Sequence, residues 1–298
     1  MQTDNKSNIF EEIKSYGFND VDKISLYENS TSSAAQTTEA TSTPSTIDPK
    51  DNLYDRKVDC PVCHSHIKVR SVKPSAVRVQ ARDTDFMVYY NEPNFMLYDA
   101  WVCPKCGYAA LSSQFKVISE RQIKLIKENI STKWVSKDYP EVFNIDIAIE
   151  RYKLALFSAI TRQAKPGEKA AICLKTAWLY RLKGDEKNDV KFLSNALEGF
   201  LLAFEKASFP INGLDEPSFT YLMGELYRRI GDNQNALLWF SKVMANRTSS
   251  SRIKDMTRDQ KDLIVSTYEE ETSSNESNSI SEEQPSKQNF FKLLFSGK

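Results

Sequence analysis

Two short runs, Cys60-Pro61-Val62-Cys63 and Cys103-Pro104-Lys105-Cys106-Gly107, constrain this chain more than any other feature. Thiols three positions apart on a tight turn present both sulfurs to one face. Two such turns complete the tetrahedral four-sulfur shell that structural zinc prefers. The proline after the first cysteine of each pair, and Gly107 after the last, suit that turn. The interval between the pairs exceeds the usual ribbon spacing, and an inserted hairpin would account for it. The expectation is a structural Zn2+ held by Cys60, Cys63, Cys103 and Cys106, with no open coordination position for catalysis. Two unmetallated buried pairs or a redox pair are the alternatives. A redox pair opens a helix in a βαβ setting, and neither pair here has one. His64 and His66, beside the first knuckle, read as solvated loop residues. Cys173, next to Ala171, Ile172 and Leu174, reads as a core residue.

The 298 residues suit about two domains. Lys+Arg and Asp+Glu balance at 40 each, which removes bulk attraction to nucleic acid or anionic membrane. The first residues carry no secretory pattern, and no apolar run approaches the roughly 18 residues of a membrane span. Five cysteines, an odd number with two close pairs, suit thiols kept reduced for metal, so the expected compartment is the cytoplasm.

The chain divides into five stretches. Residues 1–29 carry Ile9, Phe10, Ile13, Tyr16 and Phe18, a short amphipathic segment that should be peripheral at most. Residues 30–50 form a Ser/Thr-rich tether with little to bury. Residues 51–112 form the zinc-binding β module, with alternating runs at Ile67–Arg70 and Val77–Arg82 and a β-rich run at Phe86–Tyr90. Residues 113–268 have helical period, first from Ser113 to about Ile130. Further helices are predicted at Ile145–Ala164, Lys169–Lys183, Val190–Lys206, Ser218–Ile230, Gln234–Asn246 and Ile253–Tyr268. Residues 269–298 form an acidic tail ending in a basic apolar cluster, Phe290-Phe291-Lys292-Leu293-Leu294-Phe295. Such a cluster suits docking in a hydrophobic groove or weak contact with a membrane surface. The fold class expected is α+β, a small zinc-ribbon-like module followed by an all-α, tetratricopeptide-like array.

Three helices share one spacing of small and aromatic residues: Ala148/Tyr152/Ala155, Ala196/Phe200/Ala203 and Ala236/Phe240/Val243. The run from Ala177 to Asp185 also matches that from Gly224 to Asp232. Gly224, Tyr227, Ala236 and Phe240 follow the order of the tetratricopeptide pattern. The repeats lie about 40 to 48 residues apart, longer than that pattern's roughly 34, and a plain antiparallel bundle is the alternative.

Between Cys60 and Arg82 stand Lys68, Arg70, Lys73, Arg78 and Arg82 and no acid. Alternation puts Arg78, Gln80 and Arg82 on one face of a strand. Lys68, Arg70, Arg78 and Arg82 are therefore candidates for binding an anion or nucleic acid, with Tyr89, Tyr90, Tyr98 or Trp101 for stacking. Against this, Asp83, Asp85 and Asp99 follow closely and can pair with those arginines.

Taken in order, Leu53–Lys57, the first Cys pair, Arg82-Asp83-Thr84-Asp85-Phe86, Tyr98–Ala110 and Gly224-Glu225-Leu226-Tyr227-Arg228-Arg229 resemble the bacterial family named domain of unknown function 2225. The likeness covers roughly Leu53 to Ile264. It implies a cytoplasmic bacterial protein with a paired-cysteine metal module and tetratricopeptide-like helices, and it supplies no substrate. The function expected is a non-enzymatic adaptor that binds a protein or peptide through its helices. The alternatives are a nucleic-acid or RNP-associated zinc module and an enzyme of unknown class using the Asp83–Asp85 pair. No Ser/His/Asp set, phosphate-cradling loop or helical His-Glu-x-x-His supports the last.

Overall fold

The computed structural model describes residues 10–18, 26–27, 49–206 and 208–278. Most of the Ser/Thr tether and the C-terminal apolar cluster lie outside them.

Three antiparallel two-stranded sheets come first. Strand β1 (Leu53–Asp59) pairs with β2 (His66–Val72), β3 (Val79–Arg82) with β4 (Val88–Tyr90), and β5 (Ala100–Val102) with β6 (Ala109–Leu111). Each Cys pair is the turn of a hairpin, the first between β1 and β2, the second between β5 and β6. The β3–β4 hairpin is inserted between them, as the long interval suggests. The alternation expected along β3 is interrupted, because the register shifts between Val79 and Ala81. All four β3 residues are exposed, so the strand has no buried face.

Seven α-helices follow among the described residues: α1 (Glu120–Ile126), α2 (Ile145–Thr161), α3 (Pro166–Lys183), α4 (Glu186–Lys206), α5 (Glu216–Arg229), α6 (Asn233–Ala245) and α7 (Ser251–Asn278). The periodic run from Ser113 becomes helical only at Glu120. Ser119 and Gln122 form a capping box there and fix the start, while Phe115 packs in the preceding turn against Tyr108 and Trp101. The last helix runs past Tyr268 to Asn278. None of the described helices is long and apolar enough to cross a membrane.

Helix α2 is buried on all sides from Leu154 to Ala159, as expected of a helix at the centre of a fold. Three hydrogen bonds dock it on the β module. Arg151 Nε donates to the Ala100 carbonyl at 3.1 Å, the Tyr152 hydroxyl donates to the Met96 carbonyl at 3.1 Å, and the Ala109 amide donates to Ser158 Oγ at 3.1 Å. One apolar core runs from Val58 on β1 to Trp239 on α6.

The N-terminal segment belongs to that core, which corrects the expectation that it stays peripheral. Phe10, Ile13, Tyr16 and Phe18 lie on and beside a short 3-10 turn, Glu11–Tyr16, and are at most 3% exposed. Tyr16 stacks on Trp134 and Phe18 packs on Phe157. Four large side chains at one-turn spacing bury enough apolar surface to offset ordering the segment.

The matched runs on either side of Gly184 and Gly231 have the same local structure. Each glycine ends a helix in the left-handed region, with φ of 76° and 85°. The following aspartate then caps the next helix. Asp185 Oδ1 accepts from the Asn188 amide and Asp232 Oδ1 accepts from the Asn235 amide, both at 3.1 Å. The α3–α4 and α5–α6 pairs are thus joined by the same turn.

Candidate metal centre

The sulfurs of Cys60, Cys63, Cys103 and Cys106 all lie within 4.8 Å of one another. Cys60 Sγ is 3.7 Å from Cys106 Sγ, and Cys63 Sγ is 3.6 Å from Cys103 Sγ. These separations are far beyond the roughly 2.05 Å of a disulfide. A tetrahedral ion bonded to sulfur at about 2.3 Å places its ligands about 3.8 Å apart. The cluster therefore has the dimensions of a metal shell, and the four residues expected to act together are brought together.

Local backbone chemistry builds each half of the shell. In the first knuckle the His64 amide donates to the Cys60 carbonyl at 2.9 Å. In the second the Gly107 amide donates to the Cys103 carbonyl at 3.0 Å. Both residues take positive φ, 59° at His64 and 74° at Gly107. The Cys60 and Cys103 amides donate across their turns to the Ser65 and Tyr108 carbonyls. Hydrogen bonds from Cys106 and Cys60 pull the Cys103 thiol down to about 4, and the same contacts push Cys106 and Cys60 up. His64 and His66 are exposed, and His66 pairs with Asp59. Cys173 is buried on α3, apart from the cluster.

Support for the second knuckle comes from residues the sequence did not single out. Ser131 Oγ donates to the Cys106 carbonyl at 3.0 Å, and Trp134 Nε1 donates to the Pro104 carbonyl at 2.9 Å. The Trp134 indole also lies directly over Gly107.

A second cluster joins the β3–β4 hairpin to the helices. Asp85, fully buried, accepts from Trp178 Nε1 at 2.9 Å and pairs with Arg181 at 2.9 Å. Asp83 pairs with Arg181 at 3.0 Å and Arg229 at 2.6 Å. Thr84 donates to Glu225 at 2.5 Å, and Glu225 pairs with Arg228 and Arg229. Asp189 pairs with Arg181 at 3.0 Å. Burial opposes the Asp83 charge, but Arg229, the Thr84 amide and Arg181 outweigh it and hold the carboxyl below its ordinary value. Burial likewise opposes the Arg229 charge, and Asp85 with the neighbouring acids holds it above its ordinary value.

The aspartates were expected to pair with strand arginines. They pair instead with arginines of α3 and α5, because the hairpin tip reaches into the helices. Asp99 pairs with Lys175 of α3 at 2.5 Å. The signal available in the sequence was Glu225 followed by Arg228 and Arg229, charges at helical spacing on an otherwise apolar stretch.

The basic residues do not share one strand face. Lys68 and Arg70 lie on β2, and Arg78 and Arg82 lie at the β3 hairpin of a separate sheet. Arg70 pairs with Asp55 opposite it, and Arg78 donates to the Val77 carbonyl. The aromatic residues proposed for stacking have partners of their own. Tyr98 is buried on Phe143, Trp101 is buried against Phe115 and Arg56, and Tyr89 donates to Asp83.

Among known proteins, the family model described as "Uncharacterized protein conserved in bacteria (DUF2225)" matches residues 53–264, more than half of the chain. No curated protein and no solved structure matches it.

Proposed function

This chain belongs to the bacterial family of domain of unknown function 2225, and on that footing we propose a zinc-stabilised, non-enzymatic adaptor that binds a protein or peptide through its helical array. The observation that carries this reading is the repeated helix pair. The α3–α4 and α5–α6 pairs share a left-handed glycine, an aspartate cap and an asparagine that binds the cap. Stacked pairs of this kind form a tetratricopeptide-like surface suited to peptides. Close approach within a pair supports the same reading, since Gly224 lies directly beneath the Phe240 ring.

Zinc is the ion proposed, because four thiolates on two knuckles form its preferred structural shell. A saturated shell leaves no position for substrate. Asp83 and Asp85, the carboxylates considered for catalysis, are both held by guanidinium groups. The compartment proposed is the bacterial cytoplasm, where thiols stay available to metal.

Selection of displayed random peptides against the full, metal-loaded chain tests this function. The expected result is enriched peptides that bind at micromolar Kd and keep binding at raised salt. If no peptide is enriched while mixed RNA binds with steep salt dependence, the function moves to the basic hairpins with Lys68, Arg70, Arg78 and Arg82.

A further inference from the structure

A slot between α3 and α4 is filled by Tyr27. The ring is 6% exposed. Lys169 of α3 lies over its face, with Nζ 4.7 Å from the ring centroid, and donates to the Leu26 carbonyl at 2.6 Å. Cys173 of α3 sits at the hydroxyl end. On α4, Gly199 forms the opposite wall. A Cβ there would overlap the phenol, and its three nearest atoms would all belong to Tyr27.

Three features make this slot a receptor. A glycine inside a helix costs about 1 kcal/mol relative to alanine, and Gly199 lies mid-helix in α4 with the tyrosine ring as its nearest neighbour. Lys169 recognises a backbone carbonyl and an aromatic face, a mode of capture that depends little on neighbouring side chains. The slot also lies within residues 53–264, which the family model matches, whereas its occupant lies outside them. Residues 28–48, which join occupant to domain, contain no aromatic residue and are rich in Ser and Thr. Because occupant and slot are on one chain, docking of the segment is an intramolecular event.

We propose that the α3–α4 slot is a binding site for a tyrosine-anchored peptide, and that Leu26-Tyr27 occupies it as a tethered ligand in cis. A partner peptide presenting a tyrosine after an apolar residue displaces this segment and takes the contacts to Lys169, Cys173 and Gly199. The inference rests on the adaptor reading and names where that adaptor binds and what it recognises.

The full chain carrying Tyr27→Ala tests the site, with a fluorescent peptide of residues 22–30 as probe. Saturable binding is expected to Tyr27→Ala. Binding should be at least ten-fold weaker to the wild type, whose slot is filled, and to the Tyr27→Ala/Lys169→Ala double variant. The same peptide with alanine in place of its tyrosine should not bind. A second measurement covers the case in which Tyr27→Ala fails to fold. A protease site placed near Gln36 of the otherwise wild-type chain is cut, and a labelled peptide of residues 8–30 is added. It should exchange with the cut segment, at least ten-fold better with its tyrosine than without.

Failure of the folded Tyr27→Ala chain to bind the probe, or uptake indifferent to the tyrosine, would overturn the proposal and leave Tyr27 as internal packing. The adaptor reading would still stand if display-selected peptides bound wild type and Tyr27→Ala equally, since their site would then lie elsewhere.

Discussion

Gly107 and His64 hold the same place in the two knuckles, four residues after the first cysteine, yet their substitutions should behave differently. Exposed His64 meets only the backbone requirement of a positive φ, so His64→Gly should change stability by no more than about 1 kcal/mol. Gly107 must also admit Trp134, because a Cβ there would fall 2.5 Å from the indole. Gly107→Ala should therefore cost about 2 kcal/mol in urea melts and weaken metal retention. Cys103→Ser should lose the ion altogether, read as metal per chain after dialysis. Charge decides the second cluster. Asp85→Asn keeps the shape but leaves Arg181 and Arg229 short of one buried counter-charge, a loss of about 3 kcal/mol. Asp83 adds a pH signature. Its folded pKa lies below the ordinary 3.8, so the stability it contributes is present above about pH 4 and is lost as acid protonates the folded chain. Asp83→Asn should flatten that acid limb in melts taken from pH 6 to pH 3. The cysteines were legible because a short motif carries their geometry. The partners of Asp83 and Asp85 were not, because ion pairs from a hairpin tip to distant helices leave no spacing to read.

Among the elements, the long helices and the runs that became β2, β3 and β4 were legible, and β5 and β6 were not. Helices α2 to α6 hold apolar residues at three- and four-residue steps over several turns, and each has a cap or breaker at its ends. Strands β5 and β6 have three residues each and are buried at every position. Alternation has nothing to show in so short a run, and the knuckle between them was the only cue. The paired helices offer a test of the repeat that separates space from backbone conformation. In an open helix Gly224→Ala would gain about 1 kcal/mol. Here the added Cβ would lie 2.6 Å from the Phe240 ring, so a net loss of about 1–3 kcal/mol is expected. Adding Phe240→Leu should recover part of it, because the smaller side chain frees the space. Gly231→Ala meets nothing within 4 Å but must hold φ at +85°, so its cost of about 1–2 kcal/mol should not respond to Phe240→Leu. Equal rescue of both variants would mean that α5 and α6 are not held together by this small-to-aromatic contact.

Across the whole molecule, the four-cysteine cluster and the helices share one core, and Trp134 is the link between the second knuckle and the N-terminal segment. Its indole covers Gly107, its Nε1 donates to Pro104, and Tyr16 stacks on it at 5.0 Å and 6° between planes. The Val135 amide donates to the Tyr16 carbonyl, which fixes the segment's backbone to the same strip. None of these contacts has a local sequence signal, since Tyr16 and Trp134 are far apart along the chain, and an amphipathic segment does not name its platform. Metal binding free energy is folding free energy where the ligands come from two separate turns. Removal of the ion with a strong chelator under reducing conditions should therefore loosen the second knuckle first, then Trp134, then the segment resting on it. Hydrogen exchange should show protection lost at Cys103–Tyr108 and at Lys133–Val135, together with new protease cleavage between Phe10 and Phe18. The α5–α6 pair, remote from the knuckles in the chain and closed by its own Gly224–Phe240 contact, should keep its protection over the same interval. Uniform loss of protection would instead mean that the core unfolds as one cooperative unit. Protection unchanged everywhere, with the metal shown to be gone, would mean that the β module stands without its ion.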